Sequence, residues 1–165
     1  MNENIKNNGY DNVQTENVAI LPDSKKAQFY QSTGKKGGVR YLTNTKNDSF
    51  IPMQVKTIDL ASYFQKINLT KPISFIKLDV DGSELFVLES ASAILKNKPL
   101  SILMEWDQES CISSGCDPVD LIDILLENNF KFYFPDYENN SYDEITKEEL
   151  LEKKSTNTIN LLCKK

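Results

Sequence analysis

ISFIKLDV at residues 73–80, SELFVLESASAILK at 83–96 and LSILMEWD at 100–107 are the three runs whose reading decides the fold. The first is a near-continuous apolar run after Pro72, the pattern of a strand buried on both faces. The second carries Leu85, Leu88, Ala91 or Ser92, and Leu95 at helical spacing, one buried stripe on an amphipathic helix. The third, introduced by Pro99, reads as a second buried strand. DPVDLIDILLENN at 117–129 predicts another helix. Asp117 suits its N-cap, Pro118 its first position, and Leu121, Ile122, Leu125 and Leu126 face inward. FKFYFPDY at 130–137 is a strand with a Pro break, ITKEELLEK at 145–153 a short helix, and NTINLLCK at 157–164 a final strand. Strands alternating with helices of this length predict an α/β domain, a parallel sheet covered by helices. The last two strands, joined by a short connection, are expected to pair antiparallel at one edge.

The first 70 residues are less regular. Residues 2–8 read as a helix end with Gly9 at its C-cap. VQTENVAI at 13–20, AQFYQ at 27–31 and IPMQVKT at 51–57 read as short strands, and LPDS at 21–24 as a turn. IDLASYFQKI at 58–67 has helical spacing, with Ile58, Leu60, Phe64 and Ile67 toward one side. GKKGG at 34–38 lacks the spacing of a phosphate-binding loop. With 43–49 it reads as a long polar loop.

Composition narrows the chemistry. The chain has 165 residues, 39% of them hydrophobic and 26% charged, with a net charge of -5. That suits one ordinary domain and not a nucleic-acid binder, since phosphate backbones favour Lys/Arg-rich faces. No apolar run approaches the roughly 18 residues of a membrane span, and the polar start MNENIKNNGY is no signal-peptide core, so a cytoplasmic address is expected. There is no histidine. Ser-His-Asp hydrolysis, Cys-His catalysis and His-ligated metals are therefore unavailable. Cys111, Cys116 and Cys163 are odd in number and loosely spaced, neither a disulfide framework nor a zinc site.

In an open α/β sheet, ligands bind beyond the carboxyl ends of the strands. Two strands here end in acids: Asp79 and Asp81 after the first, Glu105 and Asp107 in the second. These ends should converge on one crevice. Asp79 ends a buried run, where an idle carboxylate is costly, so it is the leading functional candidate. Lys77 shares a strand face with it and is equally suited to pairing with it. Asp81 and Glu84 have the spacing of a capping box, a structural alternative to a role in the site. Glu105 divides evenly between structure and function. Trp106 suits the core or a cleft wall.

The stretch IKLDVDGSELFVLESASAIL resembles the FkbM family of methyltransferases, whose pattern is [I/L]-K-[I/L]-D-V-E-G-x-E followed by V-L-x-G-A on a helix. Asp81 stands where the family has Glu, and Ser90 where it often has Gly. NVAILPDS at 17–24, VKTIDLASYF at 55–64 and KPLSILMEWD at 98–107 are similar to further family segments, in the family's order. The resemblance implies a Rossmann-like class I methyltransferase sheet of order 3-2-1-4-5-7-6, mostly parallel with an antiparallel last strand. It implies S-adenosyl-L-methionine as cofactor and methylation of a sugar or polyketide-type hydroxyl on a small-molecule or glycan acceptor. Carried over by position, Asp79 and Glu105 are catalytic candidates. Asn17, Ala19 and Asp79 are candidates for the cofactor, and Lys77, Glu84 and Trp106 for the substrate.

The same resemblance implies absences. No glycine here forms the G-x-G turn that grips the cofactor, and no second-strand acid is evident. The expectation is therefore the C-terminal two-thirds of such a domain, residues 1–165 as one unit lacking the first two strands. A complementary N-terminal polypeptide would complete it. The alternative is a non-catalytic remnant or binding module of the same fold.

Overall fold

The computed structural model describes residues 1–22, 28–32, 39–41, 50–96, 99–153 and 159–165. The GKKGG stretch and the polar segment 43–49 lie outside the described residues. The described part is a mixed α/β structure with a five-stranded central sheet and six α-helices.

The decisive runs become β6 (Phe75–Leu78), α3 (Glu84–Ser90) and β7 (Ser101–Trp106), with β6 and β7 parallel. α4 (Gln108–Ser113) and α5 (Pro118–Glu127) follow, then β8 (Lys131–Asp136), β9 (Ser141–Ile145), α6 (Lys147–Glu152) and β10 (Ile159–Lys164). The sheet order is β6-β7-β10-β8-β9, and β10 runs antiparallel to both neighbours. The antiparallel pairing expected of the strands at 130–137 and 157–164 is present between β8 and β10, and only its placement at the edge is corrected. β10 inserts between β7 and β8, and a hairpin strand, β9, takes the edge beyond. β6 is the outer strand on the other side.

The expectation of strands buried on both faces is also overturned. β7 alternates, with Ile102, Met104 and Trp106 buried and Ser101, Leu103 and Glu105 only partly covered. In β6, Leu78 is buried while Phe75 is 55% exposed. Side chains two residues apart share a face. Among the described residues, then, one sheet face carries the core and the other is open. Leu85, Leu88, Ala91 and Leu95 of the α3 segment join that core, as do Leu121, Ile122 and Leu125 of α5. Leu126 is 41% exposed and does not face inward.

The helix starts show why the chain folds this way. The Asp117 carboxylate caps α5 by accepting the Val119 N–H at 2.8 Å, with Pro118 opening the helix. The predicted helix over 83–96 is shorter: α3 ends at Ser90, and a single 3-10 turn covers Ile94–Lys96.

Upstream, α1 (Asn2–Asn7) ends ahead of Gly9 at φ +68°. Only Ala19–Ile20 of the expected 13–20 strand is β1, paired in parallel with β5 (Thr57–Ile58). β2 (Gln28–Ser32) lies between β3 (Val39–Tyr41) and β4 (Phe50–Gln54) in a separate small sheet. α2 (Leu60–Lys66) is capped by Asp59, whose carboxylate accepts the Ser62 N–H. Leu60 and Phe64 pack against the core, whereas Ile67 is exposed.

Ser90 explains its own departure from the family glycine. It is buried, and its hydroxyl accepts the Leu60 N–H at 2.7 Å and donates to Asp59 at 3.1 Å. This single side chain ties the start of α2 to the end of α3. Ser90→Ala leaves the Leu60 N–H at a helix start without that acceptor, where an unsatisfied buried donor costs about 1–3 kcal/mol. The expected loss in urea-unfolding stability is about 1–2 kcal/mol. A variant as stable as the parent would show that the tie contributes nothing.

Candidate functional site

The carboxyl end of β6 leads into Asp79, Val80, Asp81 and Gly82 before α3 begins. Asp81 and Gly82 both take left-handed backbone, at φ +53° and +95°. Glycine tolerates that freely, whereas an aspartate does so at some cost, as at many functional turns. The turn is held from within: the Ser83 N–H donates to the Val80 carbonyl at 3.3 Å, and the Val80 N–H to Glu84 Oε1 at 3.2 Å. It is held from outside by α4, because a Cβ added to Gly82 would lie 2.2 Å from the Ser110 carbonyl oxygen. The capping box expected for Asp81 and Glu84 is corrected accordingly. The helix cap is Ser83, without a side-chain capping bond, and Glu84 reaches back to Val80 instead.

Above this turn lies a cavity of about 310 Å³, lined by Val18, Ala19, Ile20 and Leu21 on one side and by Asp79, Val80, Asp81, Ser83 and Val87 on the other, with Phe29 and Val55. Two larger concavities, of about 670 and 480 Å³, are lined by neither Asp79 nor Glu105. The smaller cavity is preferred as the site because it lies where the acid turn converges with the end of β1.

Asp79 connects the cavity to the open sheet face. Its carboxylate pairs with the Lys77 ammonium at 3.1 Å, with both side chains substantially exposed. Glu105, on the neighbouring strand, lies close enough to respond to Asp79. Burial and the nearby Asp79 and Asp81 carboxyls raise the Glu105 carboxyl above its ordinary range, while Lys77 opposes the rise. Glu105 therefore holds its proton more tightly than an ordinary carboxyl does. On β10, Asn160 stands opposite Glu105. Among the described residues, no group of three or more acidic, His or Cys side chains could hold a metal ion.

The site residues read from sequence therefore separate. Ala19 and Asp79 line the cavity, Glu105 is near enough to Asp79 to respond to its charge, and Lys77 pairs with Asp79. Asn17 is exposed beside the lining segment and is not part of it. Two substrate-binding expectations are corrected. Trp106 is 1% exposed and packs in the core, and its indole N–H has no partner among the described residues. Glu84 is 3% exposed and engaged with the turn backbone. Trp106 lies on the core face of the sheet, and Glu84, at the start of α3, is held against the turn backbone. Val18, Val80 and Val87 were missed. Their signal was the apolar neighbourhood of Ala19 and the motif, which sequence alone could not bring together.

The family model for the methyltransferase FkbM domain matches residues 2–132. The chain belongs to the FkbM methyltransferase family. That span runs from α1 into β8, most of the chain, and gives no support to reading it as only the C-terminal two-thirds of such a domain. Searches of curated proteins and of solved structures find no significant match. Family membership makes methyl transfer the activity to expect. Within the family pattern, Ile76–Glu84 is the β6–turn–α3 unit, and Val87–Ala91 covers the end of α3, with Val87, Leu88, Ser90 and Ala91 buried. No helix among the described residues is long and apolar enough to cross a membrane.

Burial pushes the Glu84 carboxyl up, and the N–H groups of Glu84, Val80 and Gly82 hold the rise back. A carboxyl raised in the fold binds protons that the unfolded chain has released. Its contribution therefore weakens folding as pH climbs from the ordinary carboxyl range through the raised value. Glu84→Gln keeps an acceptor for Val80 and removes the buried charge. It should gain on the order of 1 kcal/mol at pH 8 relative to pH 5, compared with the parent, in urea unfolding. Parallel stability–pH curves for the two proteins would contradict the buried charge.

Proposed function

We propose that this chain acts in S-adenosyl-L-methionine-dependent transfer of a methyl group to a hydroxyl of a small-molecule or glycan acceptor. The observation that carries the reading is the cavity between Ala19 and Asp79, at the carboxyl end of a strand in an FkbM-family chain. In this reading β6 and β7 are two adjacent parallel strands of a class I methyltransferase sheet, and β10 is its reversed last strand.

The residues present fit the donor in two respects. Val18, Ala19, Ile20 and Val87 offer apolar walls to a heteroaromatic base, and Asp79 and Asp81 set negative charge at the other side, suited to a cationic sulfonium. The volume lies at the lower end of small-molecule sites, roughly 300–1,000 Å³. When bound, the donor supplies a methyl group already activated by positive sulfur. The chain's own work is then alignment of the acceptor oxygen and removal of its proton. Asp79 brings a side-chain carboxyl to the cavity from the end of β6. It takes the hydroxyl proton, while Glu105 and Lys77 fix its orientation from behind.

The test is amide chemical-shift mapping with S-adenosylhomocysteine, which registers weak as well as tight binding. Shifts should concentrate at Val18–Leu21 and Asp79–Ser83. No shifts at high ligand concentration, or shifts confined to the other two concavities, would remove the basis for the reading.

A further inference from the structure

Cys111 and Cys116 stand at the two ends of the cap that terminates α4. Gly115, at φ +82°, donates its N–H to the Ile112 carbonyl, and Cys116 donates its N–H to the Cys111 carbonyl, each at 3.0 Å. Those are the paired bonds of a Schellman motif, which also presses the side chain near the helix end against the one just past the glycine. Two apolar side chains usually meet there. Here both are thiols, buried in one cluster and near enough that each alters the other's proton affinity. They are 1% and 6% exposed, respectively. Cys163, the third thiol, is buried in the core on β10, in register with Ile102 and Phe132.

The cap adjoins the acid turn. The Ser110 carbonyl and Cys111 N–H lie against Gly82, where an added Cβ would meet them at 2.2 and 2.9 Å. The backbone that carries one thiol is thus the backbone that seats Asp81 and Gly82.

We propose that Cys111 and Cys116 form a reversible intrachain disulfide, a thiol-modification site that staples the end of α4 and is read at the acid turn. A disulfide needs two sulfurs already close, with their carbons suitably aimed. The cap supplies that proximity without moving either strand of the sheet.

Cys116 initiates. It is the more exposed thiol, and the influence of the two thiols on each other holds its proton affinity down and that of Cys111 up. Glu84, Glu89 and Asp120 oppose its thiolate, and Glu84 and Asp117 that of Cys111, so the pair is slow to react rather than hyper-reactive. With a small disulfide such as oxidised glutathione, the Cys116 thiolate attacks one sulfur and the glutathione S–S bond breaks. One glutathione leaves as thiolate and takes up the proton that Cys116 gave to solvent. Cys111 then loses its proton, attacks the Cys116 sulfur and expels the second glutathione. Two protein thiols are oxidised and one glutathione disulfide is reduced to two thiols.

The experiment uses the full chain and oxidised glutathione, with thiols counted in denaturant by alkylation and mass spectrometry. The titratable thiols should fall from three to one, with the loss of two hydrogens, no retained glutathione, and Cys163 still alkylated. In Cys111→Ala, glutathione should stay attached at Cys116, because the resolving thiol is gone. Amide resonances of Gly82 and Ser83 should shift on oxidation of the parent and not of Cys111→Ala. Three alkylatable thiols after exposure, or a stable mixed disulfide on the parent, would overturn the disulfide. A closed disulfide with Gly82 and Ser83 unmoved would overturn the link to the turn.

Discussion

Gly82→Ala should be the most damaging small substitution in the chain, lowering stability by roughly 2–6 kcal/mol. Two independent terms add. The residue sits at φ +95°, where a side chain is strained by about 1–3 kcal/mol. Its new Cβ would also lie 2.2 Å from the Ser110 carbonyl oxygen and 2.3 Å from its carbon. Both are backbone atoms at the start of α4, so no rotamer change relieves the clash, and overpacking of this kind costs a further 1–3 kcal/mol or so. Against a total of about 5–15 kcal/mol for a domain, that is a large fraction. Gly9→Ala is the control. It also has positive φ, but nothing lies within 4 Å of its added Cβ. Urea unfolding should show the Gly82 variant losing at least about twice as much as the Gly9 variant. Equal losses would mean that α4 does not press on the acid turn.

The same turn shows how far sequence reading reaches. IKLDVDG followed by an amphipathic run specified a strand, a turn and a helix, because each rests on local pattern. Asp117 with Pro118 specified a helix start for the same reason. What failed depended on long-range contacts. A continuous apolar run such as ISFIKLDV does not say whether one face or both will be covered, and Phe75 stands 55% exposed. α4 was missed although its start is encoded: Asp107 caps it by accepting the Glu109 and Ser110 N–H groups and the Ser110 hydroxyl. By sequence alone that aspartate reads as a strand-end acid only. β9 lies in a polar stretch, SYDEI, whose alternation is too weak to mark a strand. It exists because β8 offers it a partner, with Lys131 and Glu144 pairing across the hairpin at 2.9 Å.

The candidate site divides along the same line. Asp79 and Glu105 stand out in the sequence as acids at the ends of apolar runs, where burial would be costly, yet the Asp79 side chain is 56% exposed and that cost does not arise for it. Glu84 and Trp106 are both buried, Glu84 against the backbone of the turn and Trp106 on the covered face of the sheet. One residue of register separates Glu105 from Trp106, and that single step moves a side chain from the open face into the core. No composition argument could have told them apart; the pairing of Glu105 with Asn160 and of Trp106 with Ile159 does.

Asp79→Asn should leave the fold nearly intact and reduce methyl transfer by roughly 10²–10⁴-fold, the usual worth of a positioned proton acceptor. Stability is spared because the Lys77–Asp79 pair is exposed, and such pairs contribute about 0–1 kcal/mol. A second readout separates chemistry from mere damage. Removing the Asp79 charge takes away a cause of the raised Glu105 carboxyl, so Glu105 should ionise at lower pH in Asp79→Asn. Lys77→Met removes the one opposing charge and should move it the other way. In the parent, Glu105 keeps its proton in the fold above the pH at which the unfolded chain releases it. Stability therefore falls as pH rises through that window, and the fall should be shallower in Asp79→Asn. Carbon-detected carboxyl titration follows Glu105 directly, and transfer of labelled methyl to a panel of hydroxyl acceptors follows turnover. If turnover survives while Glu105 moves as stated, the two carboxyls are coupled but Asp79 does not take the proton. If Glu105 titrates identically in all three proteins, the Asp79–Glu105 coupling on which the mechanism stands is absent.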